Sequence, residues 1–145
     1  SSAASDVYKR QALIMKKLFA ALLLILCTNF VCAQDSLKNF YKADLECSNF
    51  SGRDLTGANF EKAELDGVNF ENANLTGANF KGADIERSNF KNANLTNADF
   101  EDADLEEANL QGAIIKGTNF KNTELEYAIW VNGKVCGAGS IGACW

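Results

Sequence analysis

Apolar positions recur along this chain at every fifth residue. In "GANFKGADIERSNFKNANLTNADF", from Gly77 to Phe100, the large apolar residues are Phe80, Ile85, Phe90, Leu95 and Phe100. A small residue stands two places before each: Ala78, Ala83, Ser88, Ala93 and Ala98. The remaining positions are polar. Five residues carry a helix through about 500°, so such centres would wind around the axis and form no face. In one straight strand an odd period sends successive centres to opposite sides. A chain that turns a corner every five residues instead points each centre, and the small residue before it, inward together. The pattern predicts a solenoid.

The frame is regular from Ala43 to Asn132. Its eighteen centres, Leu45 to Trp130, are eight Leu, seven Phe, two Ile and one Trp, and twelve of the residues two places before them are Ala. A second period tests how many corners close one coil. The residues preceding one set of centres are Asp44, Glu64, Asp84, Asp104 and Glu124, and those following are Glu46, Asp66, Glu86, Glu106 and Glu126. All are acidic. Shifted by ten, the preceding residues are Asp54, Asn74, Asn94 and Ile114, and the following ones Thr56, Thr76, Thr96 and Lys116. Outward chemistry thus repeats at twenty and fails at ten, which predicts four sides to a coil. In that register Phe40, Phe60, Phe80, Phe100 and Phe120 stack on one side, and Phe50, Phe70, Phe90, Leu110 and Trp130 on the opposite one. Burying each large centre contributes roughly 1.5–3 kcal/mol. Rungs about 4.8 Å apart make a filled rod of roughly 20–25 Å.

The repeats "ANLTG", "ADLEE", "ANFEK" and "ANLQG" resemble the pentapeptide-repeat family, whose pattern is A-(D/N)-L-x-x. The resemblance covers about ninety residues. It implies an all-β fold, a right-handed quadrilateral β-helix of about four to five coils. Arg53 departs from the pattern where a small inward residue belongs, so a distorted first coil is expected there; Lys38 departs too and marks an N-terminal edge over 34–42. After Asn132 the five-residue frame ends, and "WVNGKVCGAGSIGACW" reads as a C-terminal cap over 133–145, similar to Cys-containing tails in some family members. Cys136 and Cys144 enclose seven residues, and an oxidising compartment would join them. The alternative is two free thiols in a loose tail. A metal there fits poorly, with two ligands and no His.

The N-terminus bears on location. Residues 1–14 begin "SSAASDVYKRQ" and read as a non-native, adapter-derived leader, the alternative being a disordered natural one. "MKKLFAALLLILCTNFVCAQDS" then has a basic start at Lys16 and Lys17, an apolar run from Leu18 to Cys27, and small Val31 and Ala33 before a cut ahead of Gln34. That order predicts a signal peptide over 15–33 and an exported, periplasmic or extracellular product. The run falls short of the roughly 20 residues of a membrane span. Leu26 before Cys27 fits a lipidation signal poorly. From Gln34 onward, 10 Lys and Arg face 18 Asp and Glu, a net charge of 10 − 18 = −8. Such a surface repels nucleic acid and attracts cations and basic proteins. Three cysteines remain, Cys47, Cys136 and Cys144, so at least one thiol has no partner within the chain.

Catalytic constellations are missing from the pattern. Without His there is no Ser–His or Cys–His pair, and the glycines, such as Gly57, Gly77 and Gly117, belong to repeat corners rather than phosphate loops. A core filled by its own side chains has no substrate cavity, so no enzyme and no cofactor is expected. The candidate interaction face is the acidic wall of Asp44, Glu46, Glu64, Asp66, Asp84, Glu86, Asp104, Glu106, Glu124 and Glu126. Like charges one rung apart repel by about 0.9 kcal/mol in water and by more at a protein surface. Such a wall calls for a divalent cation such as Ca²⁺, or a basic protein; the bland alternative is a solubilising face of an inert structural envelope protein. The six carboxylates between Asp99 and Glu107 extend it around a corner. Thr56, Thr76 and Thr96 form a ladder suited to cross-strand hydrogen bonding rather than ice or glycan contact, and Cys47 reads as an incidental thiol at an outward corner. Some family members mimic DNA and inhibit type II topoisomerases. The resemblance therefore implies that role if the chain were cytosolic, and a signal peptide argues against it.

Overall fold

The structure is a computed structural model that describes residues 38–144, so the expected leader, the expected signal peptide and the segment before Lys38 lie outside the described residues. Each pentapeptide repeats one backbone event. The N–H three residues after a centre donates to that centre's carbonyl, as from Ala58 to Leu55 at 3.0 Å and from Ala83 to Phe80 at 3.0 Å. The second residue after the centre takes a positive φ, the mark of a type II turn. Glycine fills this corner at Gly57 (φ 68°) and Gly77 (φ 66°), but Arg87 (φ 55°), Glu107 (φ 56°) and Tyr127 (φ 57°) adopt it as well.

Between corners a single residue pairs with the coils above and below. The bridges are parallel and step by twenty: Asp44 with Glu64, Glu64 with Asp84, Asp84 with Asp104, and equivalently on the other three sides. Leu65 N–H donates to Asp84 carbonyl at 2.7 Å, and Glu64 N–H to Ala43 carbonyl at 2.9 Å, so an interior rung is tied both ways. The result is a right-handed quadrilateral β-helix. The pattern is already in place at Asn39, which bridges Asn59, four residues ahead of Ala43.

The interior is a stack of side chains in contact. Phe60, Phe80 and Phe100 lie ring over ring at 4.8 and 4.7 Å, and Phe70 over Phe90 at 5.0 Å. The two columns meet edge to face, Phe70 against Phe80 at 5.8 Å. The edge-to-face contacts suit the ring quadrupole and add about 0.5–1.5 kcal/mol per pair beyond area burial. Hydroxyls at the small inward position are satisfied by the coil beneath. Ser88 donates to Leu65 carbonyl at 2.8 Å and Thr123 to Phe100 carbonyl at 2.7 Å.

One expectation needs correcting. Arg53 does not distort its coil: its N–H still donates to Phe50 carbonyl at 3.1 Å and Leu55 N–H to Asn74 carbonyl at 2.8 Å. Its side chain is exposed while the turn survives.

At the C-terminal end the chain folds back antiparallel onto the last coil, Ile129 pairing with Val135 and Glu124 with Ile141. Cys136 and Cys144 are joined by a disulfide.

Candidate interaction face

The corner geometry decides which residues precede each centre. Along most of the coil an Asn or Asp there accepts, through Oδ1, the N–H two residues on: Asn69 from Glu71 at 3.0 Å, Asn79 from Lys81 at 3.0 Å, Asp99 from Glu101 at 3.0 Å. This Asx turn closes the corner. On the acidic wall Asp104 makes it, receiving Glu106 N–H at 2.9 Å. Asp84 makes none among the described residues, nor do Glu64 and Glu124, which are one methylene longer. At those two rungs the acidic group is present without the backbone service that explains Asn or Asp elsewhere.

The fold brings the wall together. Asp44, Glu64, Asp84, Asp104 and Glu124 form one column of consecutive bridges. Glu46, Asp66, Glu86, Glu106 and Glu126 form the second, since the corner N–H groups of Cys47, Gly67, Arg87 and Glu107 donate to the carbonyls of Asp66, Glu86, Glu106 and Glu126, each at 2.9 Å. Carboxylate oxygens converge at both ends. Asp44, Glu46 and Glu64 lie within 4.8 Å of one another, as do Asp104, Glu106 and Glu124. Either trio could hold a hard divalent cation by oxygen alone.

The wall is less uniform than its sequence suggests. Arg87, at a corner, reaches back to bond Asp66 Oδ2 at 2.7 Å and Glu86 Oε2 at 2.8 Å. Its guanidinium is held above its ordinary pKa chiefly by the bond to Asp66. Asp66 Oδ1 is buried with no hydrogen-bond partner. Above this pair, Glu106 is half-buried and pushed above the usual 4.5, first by desolvation, then by Asp104, Glu126, Glu86 and Glu124. Arg87 thus relieves repulsion at Asp66 and Glu86, while Glu106 above them keeps it. Nothing in the five-residue frame singled out Arg87; the signal was the corner column Cys47, Gly67, Arg87, Glu107, Tyr127, in which one long cation stands beside the acidic columns.

The run from Asp99 to Glu107 does not extend the wall as one acidic patch. Glu101 faces another side, clamped by Lys121 at 2.6 Å and Lys81 at 2.8 Å, which hold its carboxyl down at about 2. Asp99 and Asp102 accept the amides of Asn119 and Asn122 at 2.8 and 2.9 Å. The threonine ladder is likewise internally bonded: Thr56, Thr76 and Thr96 donate to Asp54, Asn74 and Asn94 at 2.6, 2.7 and 2.7 Å. Cys47 is a free, exposed thiol.

A family model described as pentapeptide repeats matches in 8 copies over 39–72, 54–92 and 83–122, more than half of the chain. The chain belongs to the pentapeptide-repeat family. Among solved structures it is similar to HetL, a pentapeptide-repeat protein involved in heterocyst differentiation regulation from the cyanobacterium Nostoc sp. strain PCC 7120. The identity is 32% and the TM-score 0.63, over 67% of this chain and 48% of that one. Rfr23, a pentapeptide-repeat protein from the cyanobacterium Cyanothece 51142, is 31% identical with a TM-score of 0.62, over 63% of each chain. QnrB1, a plasmid-mediated fluoroquinolone resistance protein, shares the fold at 24% identity and a TM-score of 0.52, over 61% of this chain and 52% of that one. The chain thus spans about half of HetL and under two thirds of Rfr23. No curated protein is similar enough to the chain to count as a relative.

Proposed function

We propose that this pentapeptide-repeat protein is an exported, non-enzymatic binding module whose acidic wall receives a basic protein partner. The observation that carries the reading is the identity of the wall's residues at Glu64 and Glu124, where acid is kept although the corner bond is given up. Five rungs of paired carboxylates, with the upper ones unneutralised by Arg87, offer a Lys- or Arg-rich segment a column of partners. A cytosolic chain would favour the DNA-mimicking, topoisomerase-binding role instead. Mass spectrometry of the mature protein, finding or failing to find a chain that starts at Gln34, separates these locations.

The binding test compares immobilised protein with a variant carrying Asp84→Asn, Glu86→Gln, Asp104→Asn and Glu106→Gln in envelope extract. Basic proteins retained by the first, lost from the second and eluted by salt support the reading; the same retained set on both sinks it. A second reading rests on the converging trios Asp44/Glu46/Glu64 and Asp104/Glu106/Glu124, whose geometry suits Ca²⁺. There, melting with and without millimolar Ca²⁺ decides, and an unchanged midpoint removes it.

A further inference from the structure

We propose that the Cys136–Cys144 disulfide is a reducible latch that holds the C-terminal cap on the last coil. The cap covers the strand edge with few backbone bonds. Cys136 N–H donates to Ala128 carbonyl at 2.8 Å, Leu125 N–H to Ser140 carbonyl at 2.9 Å, and Gly142 N–H to Thr123 carbonyl at 2.8 Å. Its described residues bring little apolar surface with them. Val135 and Ile141 stay 63% and 55% exposed, and among its described residues only Cys136 and Ser140 are buried, the Ser140 hydroxyl without a partner. The enclosed segment contains Gly137, Gly139 and Gly142 and is costly to order. With so little buried among its described residues, the cap depends on its covalent closure.

The bond is open to attack from one side. Cys136 is 1% exposed, whereas Cys144 is half-buried and lines a surface cleft of about 420 Å³ together with Trp130, Asn132, Lys134 and Val135. A dithiol reductant entering there as thiolate is drawn by the Lys134 ammonium. Its sulfur bonds to Cys144 Sγ, the Cys136–Cys144 bond breaks, and Cys136 Sγ leaves with the electron pair and takes a proton from water. The reductant's second thiol then displaces Cys144 and closes the reductant's own disulfide, so two electrons pass from dithiol to protein. Release frees Leu125 N–H and the carbonyls of Thr123 and Ala128, an unpaired edge able to add another strand. Because Ile141 pairs with Glu124, the same release loosens the last rung of the acidic wall. That consequence for binding rests on the function proposed above; the latch itself does not.

Amide hydrogen exchange on the full chain, oxidised and after dithiothreitol, tests it, with alkylation at Cys136 and Cys144 followed by mass spectrometry. Reduction is expected to speed exchange at Leu125, Cys136 and Gly142 at least tenfold and leave Ile85 and Leu95 unchanged, with reoxidation restoring protection. Doubly substituted Cys136→Ser/Cys144→Ser protein should match the reduced state, and the reduced wild type decides if that variant does not fold. Cysteines that stay unalkylated in the native protein, or amides that stay protected after reduction, overturn the latch. No partner enters the readout, so the latch and the wall's binding role can fail separately.

Discussion

Glu106 and Glu101 are two glutamates one pentapeptide apart with opposite electrostatics, and their acid responses differ accordingly. For Glu106 the folded-state pKa lies above the ordinary 4.5. Protonation therefore favours the folded state, and its charge costs stability once pH rises through the folded value. Glu106→Gln should raise the melting temperature at pH 7 slightly. Near pH 3.5, where both forms are neutral, the variant and wild type should melt together. For Glu101 the folded pKa is depressed from 4.5 to about 2 by Lys121 and Lys81. Its contribution is present above 4.5 and is lost as pH falls toward 2. Glu101→Gln should lower the midpoint at pH 7, and the deficit should shrink steadily across that window in a series of thermal melts.

At the scale of the coil, turn and core make separable contributions. Tyr127 sits at a corner with φ 57° and is 52% exposed, so it bears left-handed strain with little burial in return. Tyr127→Asn should stabilise by about 0.5–1 kcal/mol, since Asn tolerates that conformation far better. Phe80, fully buried between Phe60 and Phe100, is the opposite case. Phe80→Ala should cost about 3–5 kcal/mol in urea unfolding, because a rigid stack cannot close over the void. The coil was legible in the sequence because both periods, five and twenty, are imposed by which side chains must point inward and which stack vertically. The Asx turn was not, because an amide at that position looks the same whether it serves the backbone or a ligand. Arg87 escaped for a related reason: corner residues were read for their backbone conformation, whereas a long corner side chain can reach across two rungs of the neighbouring wall. At Arg53 the same bias ran the other way, and a misfit side chain simply swung out.

For the molecule as a whole, charge is sorted by side. One wall carries the acidic columns, while another carries the alternating Glu61, Lys81, Glu101 and Lys121, two of whose cations are bound to Glu101. Arg87 neutralises part of the first through Asp66 and Glu86. Arg87→Gln should lower thermal stability slightly yet tighten a basic ligand's grip by a few-fold, a combination that calorimetry and melting can read together. In the function proposed above, position on this wall, not net negative charge, creates the binding face. Calorimetric titration with a Lys-rich peptide, at several salt concentrations, compares two variants of equal net charge. One carries Asp84→Asn, Glu86→Gln, Asp104→Asn and Glu106→Gln; the other carries Asp54→Asn, Glu61→Gln, Glu71→Gln and Asp102→Asn on the remaining sides. The account predicts at least tenfold weaker binding and a shallower salt dependence for the first alone. Equal losses in both would contradict it.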